Sequence, residues 1–167
     1  RNAIGSFLST GIVPEVDSNS LSPALKVKTG AFVTLKKQGE LRGCIGTFEN
    51  AQPVFKTIQQ MAVSAAVRDS RFTPIGFDEL PFVSIEVSVL TPMQKISNIQ
   101  KIRLGTDGIY IKRGSRSGTF LPQVADETGW NLEEFLGHCA RDKAGIGWDG
   151  WKDADTEIFN YQCIVLH

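Results

Sequence analysis

A β-hairpin, a helix and a strand follow one another twice along this chain, over residues 31–90 and again over 108–166. In the first pass, AFVTLKKQGELRGCIG gives two β-prone runs around a Gln38–Gly39 turn. Pro53 suits the first turn of a helix, with Asn50 as its cap. Val54, Ile58, Met61 and Ala65 form an apolar stripe at helical spacing, widened by Phe55, Ala62 and Ala66. Thr73, before Pro74, is biased away from the α region and ends the helix near DSRFTP. PFVSIEVSVLTP then alternates, with Val83, Ile85, Val87 and Val89 on one side and Ser84, Glu86 and Ser88 on the other, which is a half-buried strand.

In the second pass, GIYIKR and GTFLP flank the turn GSRSG, and Asn131 with Glu134 forms a capping box. The helix that follows buries Leu132, Phe135, Leu136 and Cys139 and stops at Gly145; TEIFNYQCIVLH is the closing strand. Residue identities do not repeat between the passes, so the duplication is one of structure. Hairpins joined to helices by short connections predict an α+β fold with mainly antiparallel sheets. The chain reads as a single domain, 1–167, with two subunits near 31–90 and 108–166. Ile4, Phe7 and Leu8 place an N-terminal helix over 1–10, and residues 14–29 read as a loop.

Composition narrows the classes of function. Lys plus Arg and Asp plus Glu number 18 each, so the formal net charge is zero and exerts no global pull toward nucleic acid or anionic lipid. No apolar run approaches the roughly 20 residues that span a bilayer. The opening RNAIGSFLSTG lacks the regions of a signal peptide. Cys44, Cys139 and Cys163 are odd in number, far apart and outside any CxxC pair, which predicts reduced thiols in a cytoplasmic protein. The expectation is no nucleic acid and no membrane.

The stretch GELRGCIGTF stands out. Side chains alternate on a strand, so Leu41, Gly43 and Ile45 share one face and Arg42, Cys44 and Gly46 the other. Leu41 and Ile45 read as core. The second face carries a guanidinium, a thiol about 7 Å further along, and then no side chain. Glycine in a strand marks a bend or the close approach of another backbone or a ligand. A cation beside a thiol favours the thiolate. The alternative is structural: Cys44 as a small hydrophobe, Gly43 and Gly46 as seats for a packed helix, and Arg42 paired with Asp69 or Glu79.

Other patterns carry less. GIGWDG fits G-x-G-x-x-G, but a helix precedes it and an acidic loop follows, so it is no dinucleotide site. Glu134, His138 and Asp142 share a helix face and read as solvated polar groups rather than a metal site or a tuned imidazole. The cysteines lack zinc spacing and DGWKDADTE misses the EF-hand register, so no metal and no cofactor are expected. KRGSRSG could hold a phosphate, although a hairpin turn with solvated charges is the simpler account. The tryptophans read as core anchors.

ELRGCIGTF resembles the signature of the AMMECR family, and DSRFTP, VSVLTP, GTFLPQV and DKAGIG follow in that family's order over nearly the whole chain. The resemblance implies an α+β fold in two subdomains with a groove between them. It also implies association with a MEMO-like protein and a radical SAM enzyme. Its motif positions here are Arg42, Gly43, Cys44, Ile45 and Gly46; Arg71 and Phe72; Leu121, Pro122, Gln123 and Val124; and Lys143, Ala144 and Gly145. Asp142 and Ile146 are minor departures from its pattern.

Two classes of function follow. In one, the chain is a binding module for a small molecule or peptide, with Gly43, Gly46, Arg71, Pro122, Gln123 and Lys143 at the ligand. In the other, Cys44 is a thiolate nucleophile or acid/base and Arg42 orients an anionic substrate. The first is preferred, because a catalytic cysteine usually works with a histidine and neither His138 nor His167 is well placed.

Overall fold

The computed structural model describes residues 1–48 and 51–167, so the cap expected at Asn50 lies outside the described residues. The chain divides into two units: Arg1–Leu90 with Ile164–His167, and Thr91–Cys163. The first holds α1 (Asn2–Thr10), α2 (Pro23–Lys26), β1 (Ala31–Lys37), β2 (Glu40–Thr47), α3 (Val54–Val67) and β3 (Val83–Leu90). The second holds β4 (Gln94–Ile96), β5 (Gly108–Arg113), β6 (Arg116–Phe120), α4 (Gln123–Thr128), α5 (Leu132–His138) and β7 (Glu157–Tyr161). The closing β8 (Cys163–Leu166) adds to the first sheet.

Strand order is β2-β1-β3-β8 in one sheet and β4-β7-β5-β6 in the other. The pairs β1–β2, β1–β3, β5–β6, β5–β7 and β4–β7 are antiparallel, as the α+β reading expected. Read from the hairpin's second strand, both sheets run second, first, third: β2-β1-β3 and β6-β5-β7. The fourth strands are exchanged. β4 follows β3 in the chain but pairs with β7, while β8 follows β7 and joins β3.

That exchange corrects the single closing strand expected over 156–166. Gln162 interrupts it: its N–H donates to Thr91 Oγ1 at 2.8 Å, its carbonyl accepts from Thr91 N, and its Nε2 donates to the buried Asp107 at 3.0 Å. Satisfying those three groups takes Gln162 out of the ladder, and the chain changes sheet there. The helix after Asn131 also differs from a simple α-helix. The capping box is present, but beyond His138 the chain winds as a π-helical turn, Cys139–Lys143, with Ala144 N bonded to Cys139 O at 2.9 Å.

Each unit has its own core. α3 buries Ala62, Ala65 and Ala66 against Val33 and Leu35 of β1, with Ile4, Ile75, Leu80 and Val83 closing the cluster. In the second unit Phe135, Leu136, Cys139 and Ala140 pack on Ile109 and Ile111 of β5, with Phe120 and Trp151 beside them. The Gln38–Gly39 turn has positive φ at both residues, 53° and 85°, as a type I′ hairpin turn requires. From it the register runs Lys37↔Glu40 and Lys36↔Leu41, then jumps to Leu35↔Gly43, so Arg42 is the extra residue of a β-bulge. Leu41 is consequently 43% exposed and lies outside the core, contrary to simple alternation.

Candidate functional site

β2 is an edge strand, and its free edge at Cys44 is closed by side chains. Cys44 N–H donates to Asp69 Oδ2 at 2.8 Å, and Arg71 Nη2 donates to the Cys44 carbonyl at 3.1 Å. Arg71 also grips Asp69 through Nε (2.9 Å) and Nη2 (2.7 Å). The pair therefore presents an acceptor and a donor to Cys44 as a neighbouring strand would. Asp69 is only 6% exposed, and Arg71 together with the Cys44 amide holds its carboxyl far below the usual carboxylate range against the opposing effect of burial.

With its amide turned outward, Cys44 forms a non-hydrogen-bonded pair with Thr34 of β1, the arrangement that brings side chains closest. Cys44 Sγ stands 3.2 Å from Thr34 Oγ1. Arg42 makes a bidentate pair with Glu79, Nε–Oε1 at 2.9 Å and Nη2–Oε2 at 3.1 Å, and donates to the Thr73 carbonyl at 2.7 Å. Glu79, which Lys37 also contacts, is held below its usual pKa chiefly by Arg42. Glu79 is thus the partner of Arg42, one of the two acids the sequence offered.

The glycines have packing partners. A Cβ at Gly43 would stand 2.2 Å from the Ala65 carbonyl oxygen of α3, so its absence lets helix backbone rest on the strand. A Cβ at Gly46 would meet the Phe32 ring at 2.2 Å. Sheet faces follow: Gly43, Val33 and Leu35 lie under α3, and Cys44, Thr34 and Gly46 lie on the other side.

Pro122, Gln123 and Lys143 belong to the second unit. Pro122 precedes α4 and is buried; Gln123 opens that helix with Oε1 buried and without a hydrogen-bond partner. Lys143 ends the π-helical turn, exposed, with Nζ 5.7 Å from the centre of the Phe120 ring. Beneath it lies Gly118 of β6, where a Cβ would come within 2.5 Å of Lys143 Cβ and 2.4 Å of Ala144 N. The charges of KRGSRSG are not simply solvated. Arg116 donates to the Gly145 carbonyl at 2.7 Å, and Arg113 pairs with Asp153 and reaches the Ile146 carbonyl.

The structure thus brings Arg42, Gly43, Cys44, Gly46 and Arg71 onto one strand edge, and in the second unit sets Pro122 and Gln123 at the start of α4 and Lys143 against the Phe120 ring. Thr34 and Gly118 were missed by the sequence reading. Among the described residues no group of three or more His, Cys, Asp or Glu side chains could hold a metal ion.

The model of the AMMECR1 family matches residues 1–166 of this sequence. The chain belongs to the AMMECR1 family. An AMMECR1-family relative from Methanopyrus kandleri, protein MK0488, is 41% identical over 175 residues, covering 99% of this chain and 83% of that protein. A Methanothermobacter thermautotrophicus protein is 39% identical over 155 residues, with coverage of 89% and 80%. The crystal structure of the uncharacterised protein PH0010 from Pyrococcus horikoshii superposes with a TM-score of 0.90 at 37% identity, over 98% of this chain and 84% of that one. No helix of the AMMECR1 fold described here is long and apolar enough to cross a membrane.

The three thiols are unpaired and differ in environment. Burial pushes Cys139 up to about 12, against a smaller lowering by Lys143, and pushes Cys163 up to about 11. At pH 8 such values leave on the order of 10⁻⁴ and 10⁻³ of each as thiolate. Iodoacetamide pulses read by peptide mass spectrometry are therefore expected to label Cys44 first, Cys163 next and Cys139 only on unfolding. Labelling of Cys163 ahead of Cys44, or of all three together, contradicts this order.

Proposed function

We propose that this AMMECR1-family chain is a cytoplasmic, non-catalytic binding module that serves partner enzymes. One observation carries the reading: both motif arginines are already engaged. Arg42 is neutralised by Glu79 and tied to the Thr73 carbonyl, and Arg71 is neutralised by Asp69 and tied to the Cys44 carbonyl. A cysteine nucleophile draws on a base and a free cation, whereas the partner of Cys44 Sγ is a hydroxyl. The RGCIG–DSRF set fixes a strand edge in place.

On this reading Gln123 and Lys143 contact a small molecule or peptide, with Pro122 setting the start of α4. Support comes from the unpartnered Gln123 Oε1, since an acceptor buried without a partner costs about 1–3 kcal/mol until a donor fills it. The family resemblance names the enzymes to be served as MEMO-like and radical SAM proteins.

The test is to incubate the purified chain with a metabolite extract, remove unbound material by ultrafiltration, and identify retained compounds by mass spectrometry. Gln123→Ala and Lys143→Ala are expected to lose the retained compound, while Cys44→Ser keeps it unchanged. Conversion of that compound by the wild type, abolished in Cys44→Ser, would overturn the binding reading in favour of an enzyme.

A further inference from the structure

His138, the last residue of α5, is not a solvated surface group. Its ring lies on Trp130 with centroids 3.8 Å apart and planes 9° from parallel, and Trp148 meets it edge-on at 4.9 Å. Its Nδ1 stands 2.9 Å from Asp142 Oδ2. Glu134, one turn back, is engaged in the capping box with Asn131. The imidazole is therefore fixed by two tryptophans and one carboxylate.

The proton on that ring can be assigned. Arg141 binds Asp142 through Nε and Nη2 and, with a smaller contribution from His138, holds its carboxyl well below the usual range. An ionised carboxylate only accepts hydrogen bonds, so the 2.9 Å contact places a proton on His138 Nδ1. Arg141 Nη2 also stands 3.2 Å from Nδ1, and because a guanidinium only donates, that contact calls for the opposite tautomer; the shorter, charge-assisted contact to Asp142 and the second bond of Nη2 to the same Oδ2 favour the proton on Nδ1. In the neutral ring the lone pair must sit on Nε2. Nε2 takes no partner among the described residues, and the His138 side chain is 23% exposed. The π-helical turn carrying Asp142 is an uncommon element that recurs at functional sites.

We propose that His138 Nε2 is a reactive position of the second unit, a proton acceptor for a small ligand bearing a weakly acidic O–H or N–H, with Asp142 as its positioning residue. Trp130 and Trp148 fix the ring, and Asp142 fixes its tautomer, which is the arrangement a general base needs. This assignment does not depend on the role of Cys44 or Gln123.

Diethyl pyrocarbonate tests it, because that electrophile acylates an imidazole nitrogen that carries a lone pair. The nitrogen–carbon bond forms as the anhydride carbon–oxygen bond breaks, and ethyl carbonate leaves to give carbon dioxide and ethanol. His167, 78% exposed at its side chain, is the internal standard, and peptide mass spectrometry reads both sites in one sample. The expected result is that folded wild type is modified at His138 at least as fast as at His167. Asp142→Asn is expected to slow His138 about tenfold, because the amide no longer holds the proton on Nδ1 and can itself donate to that nitrogen, and Asp142→Glu is expected to recover part of the rate. Asp142 is exposed and its side chain bonds only Arg141 and His138 among the described residues, and circular dichroism verifies that the variant is folded. A His138 that stays unmodified until unfolding, or that reacts identically in Asp142→Asn, overturns the proposal.

Discussion

Asp69→Ala is expected to lower the stability of the 167-residue chain by about 3 kcal/mol, a loss of about 6–12 °C in its melting temperature. The carboxylate is buried and answers two donors at once, the Cys44 amide and the Arg71 guanidinium. Alanine leaves that amide at a sheet edge with no acceptor and releases the guanidinium. The exposed half of Arg71 recovers water, which keeps the effect below that of a fully buried pair. Thermal unfolding followed by circular dichroism measures it, and a shift under 2 °C would mean that water replaces Asp69 without cost.

The pH dependence separates the two partners. Asp69 has its folded pKa lowered, so its contribution is complete above the ordinary carboxylate value of about 4 and is lost as pH falls through the lower folded value. Arg71→Ala shrinks that contribution. It leaves a buried carboxylate with the Cys44 and residue-71 backbone amides to oppose burial, so its pKa moves back up and less stability is lost on acidification. The wild type keeps this contribution down to about pH 4 and loses it below, and its acid loss is the larger of the two.

The fold was legible where periodicity and turn chemistry agreed. The Gln38–Gly39 turn, the α3 stripe and the Asn131–Glu134 box stand where local rules put them, and so does β3, although Ser88 on its polar side is buried. The bulge at Arg42 was hidden, although the pattern contains its cause. Counting back from Lys37↔Glu40 without a bulge sets Arg42 opposite Leu35 on the face that α3 covers. One extra residue puts Gly43 there instead and brings Thr34 against Cys44. The exchange of fourth strands was not legible, because the reason for the break at Gln162 is a set of bonds to Thr91 and Asp107, 71 and 55 residues away. At the candidate site, sequence identified the motif residues but not their partners. Whether Arg42 faces a thiol or an acid is decided by a long-range contact, and local spacing carries no record of it.

Seen residue by residue, the duplication has a content that sequence identity concealed. In each unit the second hairpin strand carries a glycine opposite a buried aliphatic residue of the first, Gly43 opposite Leu35 and Gly118 opposite Ile111. In each, helical backbone rests on that glycine, and a hairpin arginine binds a carbonyl in the loop after the helix, Arg42 at Thr73 and Arg116 at Gly145. Gly43→Ala and Gly118→Ala are therefore expected to act alike. The new Cβ would stand 2.2 Å from the Ala65 carbonyl oxygen in one case and 2.4 Å from Ala144 N in the other, and both obstacles are backbone that cannot swing aside. Relief requires the helix to lift off the sheet, with an expected loss of about 3 kcal/mol in each unit. Gly76→Ala supplies the contrast. Its φ is −79° and nothing lies within 4 Å of its Cβ position, so removing a glycine there should leave stability unchanged or raise it by about 0.5 kcal/mol. Denaturant titration of the three variants decides the matter. If Gly43→Ala and Gly118→Ala unfold with the midpoint of Gly76→Ala, close approach at these glycines is not what seats the two helices.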